Sequence, residues 1–276
     1  MRFPARSGEL ATASLLVSIG SGLVLAYHYE AADPLVSVVA MEAILPFGAF
    51  WRALHFWSSQ AFFLLLVVHA WYRLGDLDAY RERAGGRISW AVLAAGLPLT
   101  ILALFTGYVL RWDATGRAAG HIAENLLAGI PIAGQALEQL FAAVSDDGVN
   151  RVYAAHLALA MLLWGIGTWY HTRRVILKSD AWTWVFFPLV ASSFLLSAPL
   201  DRFDPQTAII KGPWFFLGVQ ELLGFLPPLL AGVLIPAVPV VLFAALPCVR
   251  NPRPVLAALA VWIFAYAVST LALWAR

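Results

Sequence analysis

The sequence predicts an all-α fold, a polytopic membrane bundle of about seven transmembrane helices. Three observations predict it. The 276 residues are 61% hydrophobic and only 12% charged, against about 25% charged in an ordinary soluble domain. Apolar runs near the roughly 20 residues that a helix needs to cross a bilayer recur along the whole chain. Basic residues gather near alternate ends of those runs, as they do around membrane spans.

Seven runs qualify, at about 8–27, 53–72, 89–110, 153–171, 182–199, 226–247 and 254–274. Each is read as a helix, because backbone in lipid must satisfy its own hydrogen bonds. The first is read as retained: the opening residues lack a long uninterrupted apolar stretch and a small-residue cleavage site. With the N-terminus inside, the inner segments hold eleven of the 18 Lys+Arg and five of the 16 Asp+Glu. The formal charge of +2 is therefore a gradient across the membrane, and it gives no support to a nucleic-acid partner. With one cysteine, Cys248, the chain can form neither an internal disulfide nor a cysteine-held metal cluster.

Two joints are long, about 111–152 and 200–225, and both fall on the outer side. Within the first, IAENLLAGIPIAGQALEQLF reads as two short amphipathic helices hinged at Ile130 and Pro131. Helices of that kind lie on a membrane face or roof a pocket.

The chemistry sits in the histidines. His55 and His69 share the second span, and His156 and His171 share the fourth. At about 100° per residue, a separation of fourteen falls about 40° short of four turns and one of fifteen overshoots by about 60°. Each pair therefore shares a helix face, its members roughly 21 and 22 Å apart along the axis. Packed side by side in the same direction, the two helices bring His55 to His156 and His69 to His171. Two such pairs suit two b-type haems, because a bis-imidazole iron takes one nitrogen from each face of the porphyrin. The competing reading is that these histidines line a cavity or bond between helices in a haem-free transporter or assembly factor.

Smaller residues accompany the pairs. Gly8 and Gly22 on the first span, and Gly107 on the third, would let a flat macrocycle approach, or would serve ordinary helix packing. Arg52 and Arg151 stand just before His55 and His156, where guanidinium groups suit haem propionates; anchoring at the interface is the alternative for each.

The runs GLVLAYHYEAADPLVSV, GAFWRALHFWSSQ, LLLVVHAWYRL, FTGYVLRWDATGRAAG, AGIPIAGQALEQLF and RVYAAHLALAMLLWGIGTWYH resemble cytochrome b of the bc1/b6f quinol:cytochrome c complexes. The fourteen residues between His156 and His171, and the seven spans, resemble the b6f branch. The resemblance implies a four-helix dihaem core in residues 1–178, fused to a three-helix part like subunit IV in 179–276. It implies His55 and His156 on an outer, low-potential haem b, and His69 and His171 on an inner, high-potential one. Arg52 and Arg151 match positions that hold outer propionates, and Gly8, Gly22 and Gly107 match three of four helix glycines. A quinol-oxidising pocket is expected outside, roofed by 113–142 and 204–222. A second quinone pocket is expected inside, walled by the first and fourth spans and the start of the fifth.

The implied activity is electron bifurcation coupled to proton translocation, in the cytoplasmic membrane of a prokaryote. It would need a Rieske-type iron–sulfur protein and a cytochrome c as partners, in a homodimeric complex surrounded by lipid. Menaquinone is the quinone suggested by analogy. The departures are specific. The fourth glycine position is Leu93, the proline of the GYVLPW turn is Arg111, and the arginine expected three residues after His69 is Tyr72. Arg6 stands where the b6f branch attaches a c-type haem through cysteine, so no covalent haem is expected. In KGPWFFLGVQELL, Pro213 and Phe215 replace the glutamate and tyrosine of the PEWY turn. Proline accepts no proton, so Glu221 and Asp204, or Asp201, are the candidate bases. The altered turn also motivates a second reading, a non-bifurcating dihaem anchor that passes electrons between quinone and another redox subunit.

Overall fold

The computed structural model describes residues 3–141, 148–172, 180–201 and 210–276, and no strand occurs among them. Helix α1 covers Phe3–His28, α2 Pro34–Ile44, α3 Gly48–Arg73 and α4 Leu77–Glu82. After a turn come α5 (Gly86–Ala94) and α6 (Gly96–Leu110), then the surface helices α7 (Ala114–Ala128) and α8 (Gly134–Phe141). Helix α9 (Val149–Leu163) continues as π-helical turns over Trp164–Thr172. The last described helices are α10 (Ala181–Leu195), α11 (Leu217–Leu223), α12 (Ile235–Ala245) and α13 (Arg253–Trp274).

Among the described residues, six helical stretches are long and apolar enough to cross a membrane: Arg6–His28, Gly48–Glu82, Gly86–Leu110, Val149–His171, Leu230–Cys248 and Arg253–Trp274. The sequence suggested a seventh at about 182–199, but α10 has 15 residues. At 1.5 Å per residue it covers only about 22 Å, short of the roughly 30 Å of hydrocarbon. Hydropathy counted on past Leu195, whereas Leu196 is already extended and Pro199 disfavours helix at the residue before it. The paired surface helices α7 and α8 stand where the amphipathic pattern placed them, and Ile132 between them takes a left-handed φ of 69°.

The chain packs as two compact units. One comprises Met1–Asp76, Gly96–Leu104 and His156–Leu200; the other comprises Leu77–Ala95, Phe105–Ala155 and Asp201–Arg276. In the first, α1 lies along α3, and α10 packs against both. Leu10, Ala13 and Val17 meet Leu54, Ala181, Val185 and Leu189 in one cluster, and Ala11 and Leu15 meet Phe62 and Leu163 in another. Among the inward residues of α1, Ala11, Ala13, Ser14 and Ser21 are small, which permits the close approach that drives helix packing in lipid. Buried Ser14 and Ser21 donate to Leu10 O and Val17 O of their own helix, so neither of these two hydroxyls is left unpaired where water is absent.

In the second unit, Trp90 Nε1 donates to Phe243 O at 2.8 Å, fastening α5 to α12. Tyr266 Oη on α13 donates to Phe215 O at 2.7 Å. Gly218 on α11 lies directly under the Tyr266 ring, where a Cβ would come within 2.6 Å of Cε2.

Candidate functional site

Both histidine pairs form within the first unit. Helix α3 carries His55 near its start and His69 near its end, and the fourth span carries His156 and, in its π-helical part, His171. The ring centres of His55 and His156 are 6.1 Å apart, and those of His69 and His171 are 6.2 Å apart. A bond of about 2 Å from a metal ion to each imidazole nitrogen, and about 1.1 Å from nitrogen to ring centre, give about 6.2 Å when one ion lies midway between collinear rings. The two gaps fit an iron held by two imidazoles. No cluster of three or more His, Cys, Asp or Glu able to hold an ion occurs among the described residues. Two protein ligands per site suit a metal that brings its other ligands in a macrocycle.

Helix α1 supports the rings on α3. A Cβ at Gly22 would stand 2.9 Å from His55 Cε1, and one at Gly8 would stand 2.6 Å from His69 Cε1. The room these glycines provide is thus filled by the imidazoles themselves. His55 Nδ1 donates to Ser18 O at 2.9 Å. That bond fixes the proton on Nδ1 and leaves Nε2 as the free lone pair, the orientation that metal-ligating histidines take. At the other site the hydroxyl of buried Ser7 lies 3.4 Å from His69 Nδ1.

The remaining sequence candidates are dispersed. Arg52 is buried, paired with Glu42 of α2, and donates to Pro199 O at 3.4 Å. Arg151 is exposed in the second unit and donates to Gln139 O at 2.7 Å. Gly107 lies on α6. Glu221 on α11 is 8% exposed and is paired with Arg276 at 2.7 Å. Asp204 lies outside the described residues.

Asp201 belongs to a network that sequence reasoning did not assemble. Asp113, 1% exposed, caps α7 by accepting from Gly116 N at 2.8 Å, and its second oxygen accepts from Asp201 N at 2.8 Å. Arg111, lying over the Tyr108 ring, joins Asp113 at 2.8 Å and Asp201 at 3.2 Å. Thr115 Oγ1 completes the ring of contacts, 2.5 Å from Asp201 Oδ2. The one local signal was the helix-capping position of Asp113; its bond to Asp201 spans 88 residues and has no sequence signature.

A cavity of about 450 Å³ opens in the first unit, lined by Leu10 and Ser14 of α1, Ala61 and Leu65 of α3, and Trp184 and Pro188 of α10. Arg6 also lines it, paired with Asp180 and 3.9 Å from Glu9. The cavity is mostly apolar, with the guanidinium of Arg6 and its acidic partners at its edge.

Residues 5–173 match the family described as Cytochrome b/b6/petB. The chain belongs to the cytochrome b/b6 family. Cytochrome b6 of Synechococcus sp. (strain JA-3-3Ab) is 28% identical over 156 residues, which are 54% of this chain and 70% of that protein. Cytochrome b6 of Gracilaria tenuistipitata var. liui is 27% identical over 163 residues, 56% of this chain and 74% of that protein. The fold is also that of a chain in a solved structure titled "Hyperthermophilic respiratory Complex III", with a TM-score of 0.69 at 20% identity over 98% of this chain and 84% of that one. This cytochrome b/b6 family member is a multi-pass integral membrane protein, and its family is one of b-type haem proteins of electron transport.

Proposed function

We propose that the chain is the dihaem cytochrome b subunit of a bc-type quinol:cytochrome c oxidoreductase. The observation that carries this reading is the pair of matched ring separations, 6.1 and 6.2 Å, on the same two spans. His55 and His156 would hold one haem b, and His69 and His171 the other. When bound, each haem supplies a one-electron carrier within the hydrocarbon. The protein holds the ligand rings apart by one iron's width, fixes the tautomer of His55 through Ser18, and excludes water with the packed α1–α3 face. Arg52, Arg151 and Gly107 are assigned to the surroundings of the haem at His55 and His156. The division at 178/179 into a cytochrome b6-like part and a subunit IV-like part belongs to the same reading.

With the N-terminus inside, the His55 pair faces the outer leaflet and the His69 pair the inner one. Quinol oxidation is then placed beneath 113–142 and 204–222, with Glu221 or Asp204 taking the proton that Pro213 cannot accept. Quinone reduction is placed at the inner end. The Arg6 cavity, walled by α1, α3 and α10, is assigned to an isoprenoid quinone there, although the sequence put the fourth span where α3 stands. It offers apolar walls for the tail and a donor in Arg6 for the head group. The reading takes a Rieske-type iron–sulfur protein and a cytochrome c as further subunits of a homodimeric complex in a prokaryotic cytoplasmic membrane. Menaquinone is the quinone that analogy suggests, and no covalently attached haem is included.

An absorbance spectrum of the purified protein tests the core of this proposal. Two b-type haems per chain are expected; a protein without a b-type α-band removes the proposal altogether. The altered turn at Pro213 favours a second reading, the dihaem anchor without bifurcation. Rapid mixing of the intact complex with quinol separates the two. Oxidant-induced reduction of both haems, blocked by an outer-site inhibitor, belongs to bifurcation, and its complete absence belongs to the anchor.

A further inference from the structure

Helix α1 carries the dipeptide Ser–Gly twice, as Ser7–Gly8 and Ser21–Gly22. The repeat is fourteen residues, the separation of His55 and His69 on α3, so each dipeptide stands beside one histidine. The glycines do the same work at both places, each giving way to an imidazole ring. The serines do not. Ser21 Oγ donates back to its own helix, to Val17 O at 2.8 Å and Ser18 O at 3.0 Å, and His55 Nδ1 takes the Ser18 carbonyl at 2.9 Å. Ser7, fully buried, stands 3.4 Å from His69 Nδ1.

The two contacts differ in strength. A carbonyl at 2.9 Å is at the preferred hydrogen-bond length, whereas 3.4 Å lies beyond it. A second acceptor behind a metal-bound histidine makes that histidine a more basic ligand, and a more basic ligand favours ferric over ferrous iron. Hydrogen bonding of this kind is one of the levers that set a haem potential.

We propose that Ser7 is a positioning residue of the His69/His171 haem site. It accepts a long hydrogen bond from His69 Nδ1, keeps Nε2 turned toward the iron, and leaves His69 a less basic ligand than His55. This rests on the haem ligation proposed above. The long bond therefore lowers the potential of the His69 site by less than the Ser18 carbonyl lowers that of the His55 site.

Redox titration of the two α-bands, with low-temperature electron paramagnetic resonance, tests this in the intact complex; the His69→Leu variant identifies which band belongs to which site. Ser7→Ala removes the acceptor, and the potential of the His69 site alone is expected to rise, with a changed g-value as its ring is freed. Ser7→Thr, which keeps the hydroxyl, restores both signals. Ser21→Ala, fourteen residues along, moves neither. If Ser7→Ala does not retain its haem, Ser7→Cys, a weaker acceptor of nearly the same shape, must give the upward shift. Equal shifts at both sites, no shift in a haem-loaded Ser7→Ala or Ser7→Cys, or an equal effect from Ser21→Ala overturns the proposal. In those cases two α-bands in the unmodified protein leave the ligand assignment standing, whereas their absence removes the assignment itself.

Discussion

The two ends of the histidine bundle reach nearly the same ring separation, 6.1 Å at His55 and His156 and 6.2 Å at His69 and His171, by different routes. On α3 the two histidines are fourteen residues apart in uninterrupted α-helix. On the facing span they are fifteen apart, and Trp164–Thr172 is π-helical. A π-turn holds an extra residue within one turn, so each residue rotates less about the axis. The overshoot that fifteen residues would produce in a pure α-helix is absorbed there. What stays constant between the two ends is the gap between rings, and what yields is the backbone.

The severest way to break the comparison is to remove a ligand at one end only. His69→Leu or His171→Leu should reduce haem content from two per chain to one, read as a pyridine haemochrome with loss of a single α-band. His55→Leu or His156→Leu should remove the other. If any one of these changes removed both haems, or neither, the two ends would not be separate sites.

A change of spacing comes next in size, and it should discriminate between the helices. Inserting one alanine between His55 and His69 turns His69 by about 100° in a regular helix, so the haem at that end should be lost. Deleting Gly165 from the π-helical stretch leaves thirteen residues between the two histidines, a separation of fourteen, the spacing that already works on α3. Both haems should survive the deletion, and a helix with normal hydrogen-bond register should replace the π-turns. Equal loss from the insertion and the deletion would show that the π-turns are not what absorbs the extra residue.

Substitutions on α1 should rank by the room each glycine leaves. A methyl group at Gly8 meets His69 at 2.6 Å, and one at Gly22 meets His55 at 2.9 Å. The first contact is the tighter, and the ring it strikes has the longer hydrogen bond. Gly8→Ala should therefore displace its histidine further and lower haem retention at the His69 end more than Gly22→Ala does at the other. Site-resolved redox titration checks the order.

Much of this geometry was legible in the sequence because histidine spacing is a one-dimensional signal. Four residues with helical periodicity on two spans define two depths without any knowledge of packing. The same holds for α7 and α8, whose amphipathic pattern and Pro131 hinge are local. The end of α10 was misjudged because hydropathy cannot see that Leu196 is extended. The network of Arg111, Asp113, Thr115 and Asp201 was hidden for another reason: its members are close only after folding, and charged residues in a long joint read equally well as a solvated loop. Glu221 was legible as a carboxylate, but its bond to Arg276 was not.

The ion pairs on α1 and α3 give the smallest expected effects. Arg52 is buried and its partner Glu42 is partly so, with side-chain exposures of 7% and 30%, while Arg6 and Asp180 stand at 21% and 67%. Removing the charge from Glu42 weakens a contact to a guanidinium that water reaches poorly, and Glu42→Gln should cost about 1–3 kcal/mol. Removing the charge from Asp180 leaves Arg6 near solvent and near Glu9, so Asp180→Asn should cost no more than about 1 kcal/mol. Denaturation of the purified protein in detergent should order the two this way, and in the unmodified protein the Arg6–Asp180 pair should be the more sensitive of the two to added salt. The reverse order would mean that the Arg6 pair is shielded by something that covers the cavity mouth, as a bound quinone head group or lipid would.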